Sequence, residues 1–172
     1  MPDKILYETD YLTLIDRDGW IMVRNMTEIA VGVLPFRAGG DETEYLARIE
    51  PMPAHDQKRH LCALTGSVEE GEEPRETARR ELFEESGYKP ERPLIELGFV
   101  YTSKNSTTKM FLFAIDVTGA YQGVAPGDGT ETEAKSTTKW LSKRKAMMVP
   151  DATFCSMMAR LSLWFEDNVL GE

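Results

Sequence analysis

The hydrophobic and polar positions fall into short alternating runs with one long charged helix between them. Runs at 11–15 and 20–24 read as two strands joined through Asp18-Gly19, a strong two-residue hairpin signal. A lone hairpin is marginal in water, so this one is expected to pack on the main domain or on another subunit. Residues 28–36 (EIAVGVLPF) form a mostly apolar strand, and Pro35 places its far end at a sheet edge or strand terminus. The turn AGGDET at 38–43 leads to 45–50 (YLARIE), which alternates like a half-buried strand. A loop at 51–58 precedes another strand at 60–64. Strands at 94–101 and 110–117 flank the polar loop 102–109 (TSKNSTTK), and 119–135 is the longest turn-like segment. A last strand at 136–141 and a basic helical turn at 143–148 precede a helix from 151 to about 168. In that helix Phe154, Met157, Met158, Leu161, Trp164 and Phe165 follow the i, i+3, i+4, i+7 rhythm of core packing. Strands on both sides of one central helix, with a second helix at the end, predict an α/β (α+β) fold. Its expected form is an α/β/α sandwich with a mixed sheet.

The central helix changes the picture. Pro74 suits a first helical turn and Gly87 the position just past the last, so 75–85 is about three turns. Glu81, Glu84 and Glu85 stand at i, i+3 and i+4 and crowd one face, and the last two sit at the negative end of the helix dipole. Such a conflict with helix stability marks function, and clustered hard oxygen ligands suit Mg²⁺ or Mn²⁺.

Composition narrows the partners. In 172 residues, 20 Lys+Arg against 29 Asp+Glu give a net charge of −9, which opposes a broad nucleic-acid or acidic-membrane footprint. A small phosphate-bearing ligand stays open, because divalent cations can supply local positive charge. Cys62 and Cys155 are the only cysteines, which favours a reducing, cytoplasmic setting over a disulfide scaffold. His55 and His60 stand alone, with no zinc spacing around them. The N-terminus lacks a secretory pattern, and no apolar run approaches a membrane span. No internal repeat or linker divides the chain. It is expected to be one domain over 1–172, with an N-terminal hairpin extension at 1–26.

Gly66, Glu72, Arg80, Glu81, Leu82, Glu84, Glu85 and Gly87 fall in the pattern Gly-x5-Glu-x7-Arg-Glu-aliphatic-x-Glu-Glu-x-Gly-aliphatic, over 66–88. In this the chain resembles the Nudix hydrolases; Tyr88 alone departs, standing where an aliphatic residue is usual. The resemblance implies hydrolysis of a nucleoside diphosphate linked to another moiety, releasing a nucleoside monophosphate. It implies Glu81, Glu84 and Glu85 as Mg²⁺ ligands, with Mn²⁺ as the alternative, helped by a backbone carbonyl at Thr65 or Gly66. Arg80 would orient a carboxylate, and Glu72 would tie the loop to the helix. The N-terminal hairpin, the strand YLARIE and the chain's ending look similar to the ADP-ribose pyrophosphatase branch. That likeness implies a homodimer and a late-loop glutamate assisting the attacking water, here Glu131 or Glu133, with Glu81 the other candidate base. Ser103-Lys104-Asn105 stands where that branch typically carries a Ser-Pro-Gly-like run, so Lys104 and Ser103, with Arg48 from its strand, are the candidate substrate contacts. ADP-ribose or another nucleotide sugar is the first expected substrate. The alternatives are a nucleoside triphosphate or dinucleoside polyphosphate hydrolase, and a non-catalytic nucleotide-binding regulator.

Overall fold

The computed structural model describes residues 3–56, 58–127 and 136–168. Strands β1 (Lys4–Glu8), β2 (Leu12–Arg17) and β3 (Trp20–Asn25) form a separate antiparallel sheet in that order. The hairpin turn is where the sequence places it. Asp18 and Gly19 both take positive φ, 52° and 85°, the twist a two-residue turn between right-handed strands requires. The extension is nevertheless a three-stranded sheet, because residues 4–8 add an outer strand.

Among the described residues the main sheet holds seven strands. β4 (Ile29–Gly39), β5 (Glu42–Pro51), β8 (Ile95–Tyr101), β9 (Lys109–Asp116) and β10 (Thr137–Ser142) run in the order β10-β5-β4-β9-β8. β6 (Arg59–Cys62) pairs with β5, and β7 (Leu64–Ser67) with β4. The β4–β9 pair is parallel and the rest antiparallel, so the sheet is mixed. The expectation for Pro35 is corrected here. It lies in the central strand, between the residues of β4 that pair with β7 (up to Val33) and those that pair with β5 (from Phe36). A proline without an N–H fits where the strand changes partners.

Alternation along the central strands sends side chains to two helices. Val31, Val33, Phe113 and Ile115 lie in the core with Ala78 and Leu82 of α1 (Pro74–Ser86). Leu34, Phe36, Leu112 and Ala114 lie in the other core with Phe154, Met157, Met158 and Leu161 of α3 (Ala152–Asn168). The short basic turn is α2 (Lys143–Ala146). The layers are therefore helix, mixed sheet, helix. No helix among the described residues is long and apolar enough to cross a membrane.

Candidate metal centre

Helix α1 begins with Pro74 at its first position, where a missing N–H is harmless, and Glu76 turns back to accept from the Glu73 N–H at 3.2 Å. It stops at Gly87, which is left-handed (φ 75°, ψ 1°) and donates its N–H to the Phe83 carbonyl at 2.8 Å. The end carbonyls of the helix find donors in the following loop. Gln122 Nε2 donates to Ser86 O at 3.0 Å, the Gly123 N–H to Gly87 O at 2.9 Å, and the Gly127 N–H to Glu84 O at 3.0 Å. The loop is thereby laid across the acidic end of the helix. Tyr88, the one departure from the motif, is buried and meets Trp140 edge to face at 6.1 Å between ring centres.

One guanidinium organises the helical side of the site. Arg80 grips Glu72 with a two-pronged contact, Nε to Oε1 and Nη2 to Oε2, both 3.1 Å. Its Nη1 donates to Glu81 Oε1 at 2.8 Å and Glu84 Oε2 at 2.9 Å, and Nη2 also reaches the Ser67 carbonyl at 3.2 Å. Hydrogen bonding to Arg80 holds the Glu72 carboxyl below its ordinary range, and the same carboxylate pushes Arg80 up. Glu81 is buried between the helix and β7. A side chain at Gly66 would fall on its carboxylate, so only glycine admits Glu81 there.

Glu85 is held from the sheet. Arg48 of β5 forms an ion pair with Glu85 Oε1; its Nε lies 3.2 Å from Glu50 Oε2, and its Nη2 donates to Ser136 Oγ at 3.2 Å. Glu85 Oε2 is buried with no hydrogen-bond partner among the described residues. Arg48 is thus buried against an acid of the motif. The alternation of YLARIE puts Leu46, Arg48 and Glu50 on the face toward α1, the signal for this contact; Ser136 and Ser67 carried none. Ser103 and Lys104 are exposed in the β8–β9 turn. That turn also joins the N-terminal sheet to the domain: the Val23 N–H donates to Asn105 O at 2.7 Å, and the Thr107 N–H to Val23 O at 3.0 Å. Glu131 and Glu133 lie outside the described residues.

The donors fit a hard divalent cation. Glu81, Glu84 and Glu85 offer carboxylate oxygens within one helical turn and a half, and the unpartnered Glu85 Oε2 is a buried acceptor that a cation would satisfy. Five carboxylates, Glu50 and Glu72 included, face two guanidiniums, and the excess of negative charge favours a bound cation. Among the described residues no three acidic, thiol or imidazole groups converge as a ready-made cage.

A family model described as the NUDIX domain matches residues 26–162. No curated protein matches the chain. Among solved structures, one titled as the crystal structure of an ADP compounds hydrolase superposes with a TM-score of 0.73 at 16% identity, covering 98% of this chain and 94% of its own. At that identity the likeness is one of fold.

Proposed function

Because the chain belongs to the Nudix family, we propose that it is a Mg²⁺-dependent pyrophosphohydrolase. Its substrate is a nucleoside diphosphate joined to a second moiety, ADP-ribose or another nucleotide sugar first. Water attacks one phosphorus, the bridging P–O bond breaks, and a nucleoside monophosphate and a second phosphomonoester leave. The observation that carries this reading is the partly buried acidic cluster, held by Arg80 and Arg48, with one carboxylate oxygen, Glu85 Oε2, buried and without a hydrogen-bond partner among the described residues. A divalent cation bound there supplies charge neutralisation for the diphosphate and acidifies a water. Arg80 fixes Glu81 and Glu84 by charge-assisted hydrogen bonds, and Glu72 fixes Arg80 in turn. Glu81 is the first candidate base. Glu131 or Glu133, outside the described residues, is the second, as the family resemblance implies.

Ser103 and Lys104 are assigned to the outer part of the substrate, since their exposed turn adjoins the N-terminal sheet. The name of the structural neighbour supports an adenosine diphosphate half. A homodimer built on the N-terminal sheet completes the reading, supported by the apolar side chains that sheet exposes. Two free cysteines support a cytoplasmic setting.

The deciding experiment is a panel of ADP-ribose, other nucleotide sugars, nucleoside triphosphates and dinucleoside polyphosphates with Mg²⁺, read as nucleoside monophosphate release. Turnover of the sugar-linked diphosphates, lost in Glu85→Gln with the fold retained, is the expected result. Unchanged turnover in that variant sinks the metal assignment. Preference for triphosphates moves the substrate class, and binding without any turnover makes the protein a regulator.

A further inference from the structure

Arg48 reaches the acidic cluster from strand β5, whereas Arg80 belongs to helix α1 itself. Its strand alternates so that Leu46, in the core beneath α1, shares a face with Arg48. Arg48 is 7% exposed and the Glu85 side chain 1%, so their ion pair is buried. A carboxylate that deep is strongly disfavoured as an ion unless paired, and Glu85 also stands at the negative end of a helix beside Glu81 and Glu84. Arg80 does not balance it, being engaged by Glu72, Glu81, Glu84 and the Ser67 carbonyl. The guanidinium of Arg48 is steadied in turn by Glu50 and by the Ser136 hydroxyl.

We propose that Arg48 is a positioning residue for the divalent cation. By holding Oε1 it fixes the rotamer in which Oε2, without a hydrogen-bond partner among the described residues, is left for the cation. The proposal rests on the metal reading above and adds a residue outside the motif to it. A rival account makes Arg48 only a resident positive charge that competes with the cation. The two differ in sign. If Arg48 positions Glu85, its removal weakens cation binding; if it only competes, its removal strengthens binding.

The test is Mn²⁺ titration of the full chain without substrate, followed by the electron paramagnetic resonance of free Mn²⁺, with circular dichroism to establish folding. Arg48→Gln and Arg48→Lys should each weaken Mn²⁺ binding by about 10–100-fold, the usual cost of losing a group that orients a metal ligand. Lysine keeps the charge but cannot present the planar fork. Ser136→Ala, which leaves the ion pair in place, should fall between these and wild type. Binding by Arg48→Gln equal to or tighter than wild type overturns the proposal. Should neither arginine variant fold, Ser136→Ala decides, and wild-type affinity there overturns it too. A wild-type chain that takes up no Mn²⁺ overturns the metal reading along with this one, whereas wild-type uptake matched by Arg48→Gln overturns this one alone.

Discussion

Gly66 and Glu81 occupy one another's space: the glycine's missing side chain is the room the carboxylate uses. The Gly66 backbone is not left-handed, so alanine fits its conformation and only the clash matters. Gly66→Ala should therefore fold, destabilised by about 1–3 kcal/mol as an overpacked site, while Glu81 is displaced. Mn²⁺ affinity should drop with it, and calorimetric titration beside thermal melting separates the two effects. Glu72 gives a pH signature. Arg80 holds its carboxyl below the ordinary value, so the contact is fully stabilising above the unfolded carboxyl's pKa and is lost as pH falls through the lower, folded one. Glu72→Gln should cost about 1–3 kcal/mol at neutral pH. The gap from wild type should close as pH falls below about 4.5, the ordinary glutamate value. Urea denaturation in a chelating buffer, repeated across pH, would reveal a constant gap if the contact contributes nothing. The spacing of Glu72 and Arg80 was readable in sequence because both lie in one local motif. The partners Arg48 gained across the sheet were half readable, since alternation gives a face but not the residue opposite. Ser136 was not, because no local pattern says which strand end meets which helix end.

At the scale of elements, α1 is defined by how it ends. Gly87 is left-handed, and a side chain there would strike the Gly123 carbonyl, so the residue both stops the helix and admits the loop across it. Gly87→Ala incurs the left-handed penalty of roughly 1–2 kcal/mol plus that clash. It should loosen residues 119–127 from the helix. Hydrogen exchange should then speed up at the Gly123 and Gly127 amides, which now donate to Gly87 and Glu84, while the amides of β4 and β9 stay protected. Uniform loss of protection would mean the glycine serves global stability alone. Strand existence followed from apolar alternation, but strand position did not. Residues 60–64 read as one strand yet divide between β6 and β7, because Cys62 pairs with β5 and Leu64 with β4. Pro35 misled for a related reason. A proline excludes one hydrogen bond, and the sequence does not say that the central strand needs none on that side there.

At the scale of the molecule, the N-terminal sheet is short of cover. Its register sets Ile5 beside Ile15 and Met22 on one face, and Tyr7 beside Leu14 and Val23 on the other. Yet Tyr7 and Trp20 are 62% and 64% exposed, and Ile5, Tyr11 and Ile21 are exposed as well. Ile15 alone of these strands is fully buried in the chain by itself. Small sheets need a covered apolar face to persist, and exposed large apolar side chains on both faces leave this one without that cover. The tether at Val23 to Asn105 and Thr107 fixes where the sheet sits but buries none of these residues. A second copy, presenting the same surface, is the partner the homodimer reading supplies. Sedimentation equilibrium should therefore find a dimer at micromolar concentration. Ile5→Asp with Trp20→Asp should convert it to a monomer whose main sheet and helices keep their circular dichroism and whose Mn²⁺ affinity is unchanged, since both residues lie outside the acidic cluster. A wild-type monomer, or a double variant that stays dimeric, would move the interface away from this sheet. Because the β8–β9 turn carrying Ser103 and Lys104 is bonded to β3, monomerisation should also raise KM for a nucleotide-sugar substrate more than it lowers kcat. Equal loss in both would place the sheet's effect on the chemical step instead of on substrate binding.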